Sequence, residues 1–287
     1  MVSMNTSNPL VSCIIPTKNR PRLVEQAVQS VLSQSYRNIE IIVIDDSTNN
    51  ETRERMRSRR GIRYLKNEKS RGASYSRNIG LREARGDVIA FLDDDDLWRP
   101  KKIEMQLALL ETYPIVSCNY IRRLGSGRRQ FVNLPPTVGF REMLCYNYLG
   151  SCSFLLFGRE ILRGCSFDEE IKVGQDWDLV LAAMRRHGLD KVGVVDRYLV
   201  DYNSGTHSRI STRGRAISAI LPIFDKYRSE HTDFTTFMFF LYNMLPTNGS
   251  WVLWLSRELM KARMRNKGYL FVLRTILKRF KGRLDVY

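Results

Sequence analysis

The N-terminal part of the chain alternates short apolar runs with amphipathic stretches. Val11–Pro16 (VSCIIP) is an unbroken apolar run of strand length, and Pro16 is expected to end it. After Pro21, which suits a first helical turn, Leu23, Ala27, Val28, Val31 and Leu32 fall on one stripe at helical spacing. Ile39–Ile44 (IEIIVI) reads as a second buried strand and runs straight into Asp45-Asp46. A polar stretch follows, with a shorter strand near Ile62–Leu65 and helical tendency over 72–85. Gly86-Asp87 then turns the chain into another apolar strand, Val88–Leu92, which ends in Asp93–Asp96. Pro100 opens a further helix with Ile103, Leu107 and Leu110 on its inner face.

Apolar strands alternating with amphipathic helices predict an α/β fold with a mainly parallel central sheet flanked by helices. Ligands in such sheets bind at the carboxyl ends of the strands, where both acidic clusters lie. From about 115 to 210 the pattern loosens into shorter strands and loops, with one clear helix after Asp176. Beyond about 215 it changes again: 234–245 is rich in Phe and Met, Trp251 and Trp254 follow, and 257–283 is basic with apolar residues interleaved. The expected organisation is one large domain over 1–215 and a mostly helical, basic extension over 216–287.

Composition adds two constraints. The five cysteines (13, 118, 145, 152 and 165) are odd in number, scattered and without a CxxC pair. That argues against a zinc knuckle or a disulfide framework, and for a reducing, cytoplasmic setting. No basic-then-apolar leader opens the chain, and no run reaches the roughly 18 apolar residues of a membrane span. The net charge of +16 fits a polyanionic partner: nucleic acid, an anionic membrane or a phosphorylated substrate.

Four adjacent carboxylates at Asp93–Asp96 repel one another unless a cation neutralises them. Mg²⁺ and Mn²⁺ take such oxygen ligands, usually one or two carboxylates completed by phosphate oxygens. On an extended strand Asp93 and Asp95 would point the same way, so two carboxylates could serve one site. The plainer reading is a solvated acidic turn ahead of the helix opening at Pro100. The segments SCIIPTKNR, SVLSQSYRNIEIIVIDDS, GASYSRNIGL and GDVIAFLDDDDLW, in unbroken order over 10–112, resemble the nucleotide-sugar-binding half of the family-2 glycosyltransferases.

That resemblance implies the Rossmann-like fold called glycosyltransferase A, with 10–112 binding the donor and 113–215 binding the acceptor. It implies a metal-dependent enzyme that moves a sugar from a nucleotide diphosphate donor, with inversion, onto a hydroxyl. By it, Pro16, Thr17 and Asn19 line the nucleoside pocket, Asp45 and Asp46 hold ribose and a uracil-type base, and Arg77 (or Arg71) approaches base or phosphates. Asp93 and Asp94 join the nucleotide-sugar site, while Asp95, Asp96 and His207 are the metal ligands, for Mn²⁺ or Mg²⁺; Arg209 stands near phosphate. Gly174-Gln175-Asp176-Trp177-Asp178-Leu179 resembles the family's E-D-x-x-L signature, with Asp176 at the base position, Asp178 its rival, and Gln175 where the family commonly has Glu.

In the extension, Leu270, Leu273, Leu277 and Phe280 lie at helical spacing with Arg274, Lys278 and Lys281 off the stripe. That is the layout of a helix lying on an anionic membrane, or of one packed on the protein or a second copy. The membrane reading implies a lipid-linked or cell-surface glycan acceptor at the inner face of the cell membrane. Two other classes compete. A nucleotidyltransferase acting on a sugar phosphate would carry a glycine-rich loop after its first strand, and PTKNR has no glycine. A non-catalytic nucleic-acid binder is favoured only by the charge, and no nucleic-acid-binding signature appears.

Overall fold

The computed structural model describes residues 8–57, 59, 61–125, 127–204, 219–232, 235 and 239. They fall into two compact units, one within Met1–Met143 and Asn147–Arg215, the other within Leu144–Tyr146 and Ala216–Tyr287.

The first unit is built on a sheet whose leading half is wholly parallel. Strands β1 (Val11–Thr17), β2 (Ile39–Asp45), β3 (Ile62–Lys66) and β4 (Val88–Phe91) stand in the order β3-β2-β1-β4. Helices α1 (Pro21–Leu32), α2 (Glu51–Arg57) and α3 (Ala73–Glu83) make the crossovers. The chain continues through β5 (Leu97–Trp98), α4 (Lys102–Leu110), β6 (Ile115–Arg123), β7 (Arg129–Val132), β8 (Thr137–Gly139), α5 (Phe140–Cys145), β9 (Leu156–Gly158), α6 (Gln175–His187) and β10 (Lys191–Asn203). This second half is mixed: β9 lies antiparallel between β4 and β6, while β6 and β10 are parallel. β5 and β8 pair antiparallel with β10, and β7 with β6.

Several elements differ in detail from the sequence pattern. β1 runs through Pro16 to Thr17, because the last β1–β4 pair is Ile14 with Phe91 and the proline lies beyond that ladder. The buried stripe of α1 is Val24, Ala27, Val28 and Val31, with Leu32 40% exposed. The polar stretch after β2 folds as α2, which buries only Thr52 and Met56. Charge marks that helix: Glu51 and Glu54 sit in its first turn and Arg55 and Arg57 in its last, the arrangement that suits a helix dipole. Helix α3 buries Ser74, Ser76, Arg77, Asn78 and Gly80. It lies so close to β1 that any side chain at Gly80 would collide with Ile14.

The four deeply buried cysteines (13, 118, 145, 152) and the half-buried Cys165 are free thiols. In the second unit, helix α7 (Leu221–Lys226) brings Phe224 to within 4.5 Å of the His231 ring and 5.0 Å of Phe239. Among the described residues no helix is long and apolar enough to cross a membrane. The basic, tryptophan-bearing stretch beyond 239 lies outside the described residues.

Candidate active site

The two acidic clusters stand where β2 and β4 end, on adjoining parts of the parallel half-sheet. Asp45 is fully buried, accepting from the Ser47 amide (2.9 Å) and from the Tyr64 hydroxyl (2.7 Å). Asp46 takes four hydrogen bonds from one loop: Asn67 Nδ2 (2.8 Å) and Arg71 N (2.9 Å) on Oδ1, Ser70 Oγ (2.8 Å) and Gly72 N (3.0 Å) on Oδ2. Burial works to raise its pKa, but those bonds outweigh it and hold the carboxyl below its ordinary value. A carboxylate offers about four acceptor positions, and here the loop over 67–72 fills them. In this arrangement the Asp46 carboxylate holds the loop over 67–72 in place.

The loop after β1 closes over the same region. Asn19 adopts a left-handed backbone (φ 55°), alone among the described non-glycine residues, and its amide donates to Ser47 Oγ at 2.7 Å. Lys18 Nζ reaches Ser70 Oγ at 2.6 Å, joining this loop to the one that Asp46 holds. Pro16 and Thr17 are buried at the end of β1, and Thr17 Oγ1 donates to Asp94 Oδ2 at 2.7 Å.

Asp93–Asp96 do not continue strand β4. The strand ends at Phe91 and the four residues form a turn closed by the Asp96 amide on the Asp93 carbonyl (3.1 Å). The alternation expected of Asp93 and Asp95 is therefore replaced by three destinations, one of them shared by Asp94 and Asp95. Asp93 takes Arg77 (2.5 Å) and Ser151 Oγ (3.2 Å); Arg20 is shared between Asp94 (3.1 Å) and Asp95 (3.4 Å). Asp96, wholly buried, accepts from the Asn203 amide at 3.0 Å. Burial pushes the Asp94 carboxyl up to about 6, against Arg20 and Thr17, with Asp95 adding to the rise. Asp96 is driven well above the ordinary range by burial and by the charges of Asp93 and Asp95.

A polar network in the core braces this turn. The Asp93 amide donates to Ser153 Oγ (3.0 Å), and Trp98 Nε1 donates to the Ser153 carbonyl (2.9 Å). Behind Trp98, the buried ammonium of Lys102 lies 4.1 Å from the indole centre and bonds to Gln106 Oε1 at 2.6 Å. Gln106 Nε2 in turn donates to the carbonyls of Phe154 (2.7 Å) and Val116 (3.2 Å). Burial lowers the Lys102 pKa to about 8.

Arg77 does not point at an open nucleotide pocket. It is 7% exposed, 5.3 Å from the centre of the Phe167 ring, and its two terminal nitrogens are bonded to Asp93 and to Gln175 Oε1 (3.1 Å). Burial works against its charge, but Asp93 more than compensates and its pKa lies above the usual value. Gln175 opens α6 after the left-handed Gly174 (φ 79°), so Asp176 stands in the first turn of that helix. Asp176 is half-buried, accepting from the Trp177 amide (2.8 Å) and Asn147 Nδ2 (3.4 Å). Burial raises its pKa to about 6, against the Trp177 amide and Arg77. Asp178 is 0% exposed, which leaves Asp176 as the carboxylate of the pair that an acceptor can reach.

The structure thus brings Thr17, Arg77, Asp93, Asp94, Asp95 and Asp96 together, ties Asp176 to them through Gln175 and Arg77, and sets Asp45 and Asp46 under the neighbouring loop. His207 and Arg209 lie outside the described residues. Among the described residues no three His, Cys, Asp or Glu side chains converge on one metal position. Sequence reasoning passed over Arg20, Asn67, Ser70, Asn147, Ser151 and Ser153. Arg20 sits in the PTKNR segment already singled out, and only the fold reveals that it pairs with Asp94 and Asp95. The others stand in segments with no periodic signal.

The family model for glycosyl transferase family 2 matches residues 12–162, which contain both acidic clusters, Arg20, Arg77 and the Ser151–Ser153 brace. The Escherichia coli protein WfgD, named as a UDP-Glc:α-D-GlcNAc-diphosphoundecaprenol β-1,3-glucosyltransferase, is 41% identical over 194 residues, covering 64% of this chain and 73% of its own. Staphylococcus aureus TarS 1–349, solved with UDP-GlcNAc, shares the fold with a TM-score of 0.58 at 20% identity, over 71% of this chain and 61% of its own. The mannosyltransferase PcManGT of Pyrobaculum calidifontis, solved with GDP-Man and Mn²⁺, gives 0.60 at 17% identity, over 96% of this chain and 81% of its own. With its parallel donor half, its acidic turn after β4 and a family match spanning more than half its length, the chain belongs to glycosyl transferase family 2.

Proposed function

We propose that this glycosyltransferase moves a sugar, with inversion, from a nucleoside diphosphate donor to a hydroxyl of a lipid-linked or cell-surface glycan, with Asp176 as general base. The observation that carries the reading is the Arg77 bridge, which fastens Asp93 at the end of β4 to Gln175 beside Asp176. One buried cation thereby fixes the acidic turn and the base helix to each other. The uridine preference draws support from the UDP-sugar in the name of WfgD and from UDP-GlcNAc in TarS; GDP-Man in PcManGT keeps guanosine in the comparison.

Asp176 is suited to its role by being half-buried, ionised near neutrality and close to its conjugate acid's pKa. It takes the proton of the acceptor hydroxyl as that oxygen attacks the anomeric carbon. The bond from that carbon to the diphosphate breaks on the opposite face, and its electron pair leaves with the nucleotide. Thr17, Asn19 and the loop over 67–72 on Asp46 shape the donor side.

The donor set fits a divalent cation. Asp95 and Asp96 offer hard oxygens in a turn where burial, with like charge added, drives carboxyl pKa values up, a cost that Mn²⁺ or Mg²⁺ would relieve. With no third side chain converging among the described residues, phosphate oxygens would complete the coordination. A bound cation would offset the charge that develops on the departing diphosphate.

Thermal shift with UDP, GDP, TDP and CMP, with and without Mn²⁺, tests the donor site. The expected result is a metal-dependent rise in melting temperature with one nucleoside diphosphate, since a ligand that binds only the folded state stabilises it. No rise with any of them would defeat the proposal. Release of nucleoside diphosphate, not pyrophosphate, separates sugar transfer from nucleotidyl transfer.

A further inference from the structure

The acceptor half carries a surface that the transfer chemistry does not use. β6 and β7 form an antiparallel hairpin ribbon, with β10 paired along the other side of β6, and in it Arg123 opposes Arg129, Arg122 opposes Gln130 and Ile121 opposes Phe131. Opposed residues share a face, so Arg123, Arg129 and Phe131 stand on one side of the ribbon. Phe131 is 58% exposed; its ring meets Tyr198 edge-on at 5.0 Å, which steadies it without covering it. Arg128 and Arg129 are exposed beside it.

The positive charge here has little local offset. Arg122 reaches the Tyr120 hydroxyl (3.2 Å) and Gln130 Oε1 (3.5 Å), both neutral. Arg123 (3.2 Å) shares the single carboxylate of Asp201 with Arg99 (3.4 Å). No Asp or Glu occurs in the sequence between Glu111 and Glu142. Charge alone would be read as a guard on the open edge that β7 presents, since β7 pairs only with β6. A bare phenylalanine among the arginines does the opposite of guarding, because it offers that edge an apolar contact.

The ribbon also has a definite place relative to the acidic turn. Arg123 is the register partner of Asn203, whose amide is bonded to Asp96. The turn end of the hairpin and the acidic turn therefore share one end of the sheet.

We propose that the β6–β7 hairpin docks the protein on an anionic phospholipid surface, with Phe131 entering the headgroup boundary and Arg123, Arg128 and Arg129 facing lipid phosphates. Cations flanking a shallow apolar anchor are the chemistry of interfacial binding. A nucleic-acid strand would satisfy the same cations, but the exposed Phe131 among them favours a surface with an apolar layer beneath its phosphates. The surface stands on the hairpin itself; its use, presenting a lipid-linked acceptor at the Asp96 end, rests on the transfer reaction proposed above.

Cosedimentation of the full chain with phosphatidylcholine vesicles, with and without phosphatidylglycerol, tests this directly. The expected result is binding to the mixed vesicles alone, weakened by salt. Reversing two charges in Arg128→Glu/Arg129→Glu should weaken it about tenfold or more, and Phe131→Ser should weaken it severalfold. Both variants should keep the native melting temperature and nucleoside diphosphate binding. Unchanged vesicle binding by both variants, no preference for anionic vesicles, or retention of single-stranded RNA in place of vesicles would overturn the proposal. Neither donor nor acceptor is present in this experiment, so failure of the transfer reading would leave its outcome unmoved.

Discussion

Arg77 donates to Gln175 across 3.1 Å, and that bond ties the start of α6 to the residue group at the end of β4. Gln175 is a neutral acceptor, so the Arg77 charge is set against Asp93 and the field at Asp176.

If Arg77 is a strut, Arg77→Lys should lower kcat far more than it changes nucleoside diphosphate affinity. A single ammonium cannot span two acceptors as the guanidinium fork does, and a cost in stability of about 1–3 kcal/mol should accompany the loss. Titration calorimetry beside steady-state kinetics checks this. A large loss of nucleotide affinity with kcat intact would place Arg77 on the donor instead.

Asp176→Asn should abolish transfer while donor affinity stays near native. It also carries a stability signature. The folded pKa of about 6 lies above the ordinary aspartate value, so the folded state holds this proton more tightly than the unfolded one. The carboxyl therefore costs stability above about pH 6, and the cost fades as pH falls toward 4. The Asn variant should be more stable than the native chain by about 1–2 kcal/mol at pH 8, allowing for the half-exposed site, with the gap closing near pH 4. In the native enzyme, kcat/KM should rise with pH through about 6 and then level. Melting curves and rate profiles across that range provide the check.

For Asp46 the expected effect runs through the loop. Asp46→Asn replaces an acceptor-only carboxylate with a group that also donates, opposite four donors. Nucleoside diphosphate affinity should fall by about tenfold, and the amides of Arg71 and Gly72 should exchange hydrogen faster. Weaker binding with unchanged exchange would mean direct contact with the base.

Burial lowers the Lys102 pKa to about 8 in the folded chain, well below the ordinary lysine value, so the folded state disfavours its charged form. The unfolded state binds this proton more tightly, so the native chain should gain stability as pH rises from about 8 to 10. Lys102→Met should remove that contribution. An unaltered pH dependence in the variant, followed by chemical denaturation, would contradict the placement of this ammonium behind Trp98.

Much of the parallel half of the sheet was legible because β1, β2 and β4 are largely buried and therefore read as apolar runs. VSCIIP, IEIIVI and the run after Gly86-Asp87 became β1, β2 and β4, and the acidic clusters fell at their carboxyl ends as parallel topology requires. Reading four aspartates as an extended strand failed because turn hydrogen bonding at Asp93–Asp96 outweighed periodicity. Arg77 was visible as a site residue, but its direction was not: a helix whose inner face is Ser, Arg, Asn and Gly has no apolar stripe to orient it. The mixed half of the sheet was least legible, since β7, β8 and β9 are three or four residues long, and β8 and β9 are placed by pairing with partners distant in sequence.

The most direct test of the central claim is nucleoside diphosphate release from UDP- and GDP-sugars, with a diphospholipid-linked N-acetylglucosamine acceptor, for the native chain and Asp176→Asn. The account predicts acceptor-dependent release by the native chain with one donor and Mn²⁺, and loss of at least about a hundredfold in the variant with the donor still bound. Near-native turnover by Asp176→Asn would contradict the assignment of the base, and the absence of release from every donor would contradict the proposed reaction.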